Sequence, residues 1–92
     1  MSIVVRIPTP LRRLTNGQDK VEVDSANLDG VINAMNEQFP GIRGRICDDQ
    51  GALRNFVNVY INGEDVRFLQ GLETPTSSGD EISVVPAVAG GC

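Results

Sequence analysis

Apolar and polar positions alternate at both ends of this chain and fall at helical spacing between them. Ile3-Val4-Val5-Arg6-Ile7 is β-branched, short and bounded by Pro8 and Pro10, which predicts a first strand. Leu11 to Leu14 can continue the pairing up to Thr15-Asn16-Gly17-Gln18, where Asn-Gly is a strong hairpin turn signal. Val21-Glu22-Val23-Asp24 then alternates as a half-buried second strand does, so the first two strands form a hairpin. Leu28, Val31, Ile32, Met35 and Phe39 follow at helical spacing, with Ser25 as candidate N-cap and Asp29 in the first turn. Pro40-Gly41 stops that helix.

The segment Ile42 to Arg54 is rich in Gly, Asp and Arg and reads as a loop anchored by Ile42, Ile46 and Leu53. Phe56 to Ile61 is the clearest strand, and Asn62-Gly63 turns the chain into Glu64 to Phe68. Gly71 to Thr74 leads to the turn Ser78-Gly79-Asp80 and a last strand, Glu81 to Val85. The helix stripe is one face wide, so it lies across a sheet. Strands at both ends with a helix between them place the last strand beside the first, a parallel pairing that a long crossover permits. The predicted fold is therefore α+β, a β-grasp with a mixed sheet and one main helix packed across it.

Ninety-two residues make one domain, which buries a little over ~60% of its unfolded surface. The reading divides it into a body, 1–86, and a flexible tail, 87–92. The net charge of −4 and the scattered arginines argue against nucleic acid or an anionic membrane as partner. A basic surface on another protein fits better. No run approaches the roughly 20 apolar residues of a membrane span, and Ser2 to Ile7 is too short for a signal peptide. Two cysteines form no disulfide framework, so a cytoplasmic location is expected.

The chemistry concentrates at the end. Pro86-Ala87-Val88-Ala89-Gly90-Gly91-Cys92 is built of small residues and closes on a double glycine and a thiol. Two residues without Cβ let the backbone enter a narrow cleft and leave a terminal carbonyl open to nucleophiles from either side. The tail thus presents a carboxyl group as a reacting group, where an ordinary Gly-rich end is a frayed terminus.

Asn62-Gly63-Glu64-Asp65-Val66-Arg67, Ser78-Gly79-Asp80-Glu81 and Val84-Val85-Pro86-Ala87-Val88-Ala89-Gly90-Gly91 resemble the ubiquitin-like sulfur carriers of the MoaD/ThiS family, and within it the CysO-type carriers of cysteine biosynthesis. The likeness runs nearly end to end. It implies a carrier protein with no catalytic residue, metal or cofactor of its own, whose Gly91 is adenylated and turned into a thiocarboxylate, with Ala89 and Gly90 as the tail that delivers it. The implied partners are an ATP-dependent ubiquitin-activating-like adenylyltransferase, a PLP-dependent cysteine synthase and a JAMM-type zinc metalloprotease. The same tail would serve a ubiquitin-like modifier joined to lysines, or the small subunit of a molybdopterin synthase.

Family members act through a terminal glycine, whereas this chain continues to Cys92. Cys92 is either the cysteine product still attached, an encoded extension removed to expose Gly91, or an engineered end. It has no histidine to act as its base, since the composition contains none. Cys47, beside Asp48 and Asp49, reads as a bystander thiol whose pKa its neighbours raise. Asp48 with Asp49, and Glu64 with Asp65, read as solvated turn carboxylates and not as metal ligands. Phe68, after the second turn, is the candidate partner contact.

Overall fold

The computed structural model describes residues 2–55 and 57–86. The tail 87–92, with Ala89, Gly90, Gly91 and Cys92, lies outside the described residues, as does Phe56. Five strands form one sheet: β1 (Ile3–Arg6), β2 (Lys20–Val23), β3 (Val57–Ile61), β4 (Glu64–Asp65) and β5 (Glu81–Pro86). Their order is β2-β1-β5-β3-β4, so the last strand sits in the centre. It runs parallel to β1, with Val4 opposite Glu81 and Arg6 opposite Ser83, and antiparallel to β3, from Val57 opposite Pro86 to Ile61 opposite Ile82. The expected β-grasp is the fold observed.

Side-chain parity fixes this register. Ile3, Val5, Val21, Val23, Val57, Val59, Ile61, Ile82 and Val84 all point to one face and are buried. A slip of one residue in any strand would turn its apolar set to water. The helix α1 (Leu28–Gln38) covers that face with Leu28, Val31, Ile32 and Met35, each nearly inaccessible. Burial of one such side chain contributes about 1.5–3 kcal/mol before conformational entropy is set against it.

Asn27, not Ser25, caps α1. Its Oδ1 accepts from the Gly30 amide at 2.8 Å. Tertiary pairing makes the choice: the Thr76 hydroxyl donates to the Ser25 carbonyl, the Thr76 amide to Ala26 and the Leu28 amide to Thr74, holding 25–27 extended against 74–76. The helix cannot begin until that pairing ends.

Three other segments differ from the sequence reading. Leu11 to Leu14 does not extend the first strand; Thr9–Thr15 is a 3-10 helix. Pro8 and Pro10 have no amide hydrogen for a sheet ladder. The Arg12 guanidinium donates to the Ile7 carbonyl, and the Gly17 amide returns to Arg12 across Asn16 and Gly17, both at positive φ. The strand after Asn62-Gly63 lasts two residues. Asp65 Oδ1 then accepts from the Arg67 amide and starts the 3-10 turn Val66–Phe68, which drives Val66 into the core. The segment read as a loop contains a short second helix, α2 (Ile42–Ile46), whose Ile42 and Ile46 are buried, while Leu53 packs against the core as anticipated.

Candidate functional site

Central placement of β5 determines where the chain leaves the fold. Pro86, its last residue, pairs with Val57 at the start of β3, at the same end of the sheet as Ile7 and the turn that follows it. Two clefts flank Pro86. One, of about 180 Å³, is lined by Pro8, Pro10, Leu11, Val57 and Val84, with Arg45 at its edge. The other, of about 330 Å³, includes Arg6, Thr9, Arg12, Ser83 and Val85. The segment that carries Gly91 thus starts from an apolar notch edged by arginines.

The sheet face opposite α1 has no layer over it among the described residues. Strand pairing arrays Lys20, Arg6, Ser83, Tyr60 and Asp65 across it in one row, and Val85 beside Asn58 in the next. Arg6 pairs with Glu81 on this face. Val85 is 42% exposed, large for an apolar residue of a central strand. Phe68 lies beyond β4 and is 88% exposed. Burial in the core is thereby ruled out for Phe68.

The Arg67 side chain holds the turn that presents Phe68. Its Nη1 donates to Asn58 Oδ1 at 2.7 Å, and its Nη2 to the carbonyls of Val57 at 2.7 Å and Arg54 at 2.6 Å. One planar guanidinium therefore spans the start of β3 and the loop before it.

Other candidate groups have structural roles. Cys47 is buried, and burial pushes its thiol pKa up; Asp29 and Asp48 add to the rise and Arg43 opposes it. Asp48 Oδ1 accepts from the amides of Gln50 and Ala52, closing the turn that brings Leu53 back to Cys47. Among the described residues no group of three or more Cys, Asp or Glu side chains is placed to hold a metal. The two clefts beside Pro86 hold no acid–base pair.

Sequence reasoning missed the notch of Pro8, Pro10, Leu11 and Arg45, because it forms only when the first turn and α2 meet β3 and β5. Parity did carry a signal for the open face: Val4, Arg6, Asn58, Tyr60, Ser83 and Val85 alternate with the buried positions.

Comparison with known proteins places the chain in a class. The ThiS family profile matches residues 5–91, and the chain belongs to that family of ubiquitin-like proteins. It is 44% identical to the sulfur carrier protein CysO of Mycobacterium tuberculosis over 93 residues, covering 99% of this chain and 100% of the relative. CysO in the Amycolatopsis orientalis BexX/CysO complex superimposes with a TM-score of 0.91 at 42% identity, over 97% of this chain and 99% of that one. Small archaeal modifier protein 3 of Haloferax volcanii is 38% identical over 68 residues, 74% of this chain and 73% of that protein. No helix among the described residues is long and apolar enough to cross a membrane.

Proposed function

We propose that this protein is a cytoplasmic sulfur carrier, a co-substrate and not a catalyst, whose Gly91 carboxyl is adenylated and converted to a thiocarboxylate that supplies sulfur for cysteine biosynthesis. The observation that carries the reading is the family match, which runs through the whole fold and stops at Gly91, leaving Cys92 outside it. Likeness to CysO at 44% identity supports the cysteine branch of the family.

The chemistry accounts for the ending. A carboxylate is a poor electrophile, because its charge repels nucleophiles and oxide is a poor leaving group. An adenylyltransferase using ATP and magnesium converts Gly91 to the acyl adenylate with release of pyrophosphate, and a sulfur nucleophile displaces AMP. The thiocarboxylate sulfur then bears nucleophilic charge as a thiolate does. A PLP-dependent synthase presents an aminoacrylate, the sulfur adds to its β-carbon, and the resulting thioester moves to the amine by S-to-N acyl shift. That product is an ordinary Gly91-Cys92 amide. A JAMM-type zinc protease, its metal activating water and polarising the carbonyl, cleaves after Gly91 and frees cysteine. Cys92 is thus either product still attached or a removable extension.

Digestion of the full chain with such a protease tests the reading by mass spectrometry. The expected result is loss of one cysteine residue, blocked by a chelator, followed by a mass gain for oxygen exchanged by sulfur when the activating system and a donor are supplied. The small archaeal modifier relative favours a second reading, conjugation of Gly91 to lysines. Lysine attachment without any sulfur gain would establish that reading and overturn the first.

A further inference from the structure

Charge is unevenly placed on this acidic protein. Eight Lys and Arg residues face twelve Asp and Glu residues in total. At the end of the sheet where the chain leaves the fold stand Lys20, Arg12 and Arg45, together with the Arg67 guanidinium on the Val57 carbonyl; Arg6 is neutralised by its ion pair with Glu81, and Asp65 lies at the far edge of the same row. The opposite end carries Glu22 beside Val4, Glu64 opposite Ile61 and Asp80 before β5, with Glu81 already paired to Arg6. Neither cleft beside Pro86 is lined by a carboxylate. Asp19 lies near this end, where its backbone carbonyl accepts from the Ile7 amide. Arg12 and Arg45 make no ion pair among the described residues.

From this we infer that the arginine-edged notch around Pro86 is a docking collar for the enzyme that receives the tail, and that its occupant is an apolar side chain set in a rim of carboxylates at that enzyme's tunnel mouth. The inference rests on the carrier reading and names the chemistry of the partner's entrance. Charge complementarity selects the occupant. A basic collar in a protein of net charge −4 steers an acidic entrance onto the root of the tail and away from the acidic pole. Pro8, Pro10, Leu11, Val57 and Val84 supply the dry centre, and Arg12 and Arg45, each lining one of the two clefts at Pro86, supply the rim. The collar acts as a positioning surface and touches no reacting atom.

The test measures binding of the full chain to the purified adenylyltransferase by fluorescence anisotropy, at low and high NaCl. The wild-type chain should bind more weakly as salt rises. The double variant Arg12→Gln/Arg45→Gln should lose about tenfold in affinity at low salt and much of the salt dependence, as rim charges do. Arg45→Gln alone, at an exposed position, should show part of both effects. The opposite-pole variant Glu22→Gln/Glu64→Gln should leave both unchanged. Equal affinity and salt slope for the collar variants and wild type overturn the collar while leaving the carrier reading intact, provided Gly91 is still adenylated in the chain trimmed to end there. Failure of the wild-type chain to bind, together with failure of the chain trimmed to Gly91 to be adenylated, overturns both. Head-to-tail self-association of the chain in low salt, seen by sedimentation and abolished by the collar variants, would assign the collar to a second copy and overturn the proposed occupant.

Discussion

Arg67 and Asn58 are joined by a 2.7 Å hydrogen bond that ties the turn after β4 to the open face of β3. The same guanidinium also reaches two backbone carbonyls at the mouth of β3, so one exposed side chain replaces the ladder that β4 is too short to continue. Arg67→Ala should cost about 1 kcal/mol, the net worth of a small set of hydrogen bonds partly replaced by water. Arg67→Lys should recover little, because an ammonium lacks the fork that spans three acceptors. Urea unfolding would check both; a shift below a few tenths of a kcal/mol for Arg67→Ala would make the arrangement incidental.

Phe68 gives the complementary expectation. At 88% exposure its ring contributes almost nothing to the core, so Phe68→Ala should leave the unfolding midpoint within experimental scatter. A contact of this kind costs more than 1 kcal/mol in partner affinity when truncated, roughly fivefold or more. Calorimetric titration with the activating enzyme decides it: unchanged affinity removes Phe68 from the interface.

The helix start separates two neighbouring residues. Asn27→Ala removes the side chain that accepts from Gly30 and should destabilise by about 1 kcal/mol. Ser25→Ala should cost clearly less, since the Thr76 contact uses the Ser25 backbone carbonyl and survives the change. Equal losses would contradict the assignment of the cap.

Burial of Cys47 makes a pH prediction. Its folded pKa lies above the unfolded thiol value, near 8.5, because the thiolate is penalised by desolvation. The folded state therefore keeps the proton longer, and the contribution of this group is fully present below about pH 8.5 and is lost as pH rises toward the folded pKa. Cys47→Ser or Cys47→Ala should flatten that alkaline decline in a pH series of unfolding midpoints. Iodoacetamide should modify Cys47 far more slowly in the native protein than in urea; equal rates would show an accessible thiol.

Gly91→Val probes the tail. The substitution lies five residues beyond the end of β5 in the sequence, so thermal unfolding should not move, while the β-branched side chain crowds the carbonyl and narrows backbone freedom. Pyrophosphate exchange with the activating enzyme should fall to background in a chain ending at residue 91. Retained exchange would exclude a close-fitting tunnel as the reason for the double glycine.

Much of this protein was legible in its residues because the signals were local. Alternation in Val21 to Asp24, the 3.6-residue stripe from Leu28 to Phe39 and the positive-φ turn at Asn62-Gly63 each specify an element without help from elsewhere, and strands at both ends with a helix between them confine the last strand to the sheet centre. The double glycine before Cys92 is the sequence's own argument for a reacting end and lies outside the described residues. What the tertiary structure decided were competitions between equally plausible local choices. Ser25 and Asn27 are both good caps, and the pairing of 25–27 with 74–76 selects Asn27. Glu64 to Phe68 has strand composition, yet burial of Val66 and the Asp65 cap end the strand after two residues. Five residues of α2 are too few to show a period, and only packing of Ile42 and Ile46 makes them a helix. The notch around Pro86 joins residues from the chain's beginning, middle and end, and no local pattern can encode a surface whose parts meet only when the sheet closes.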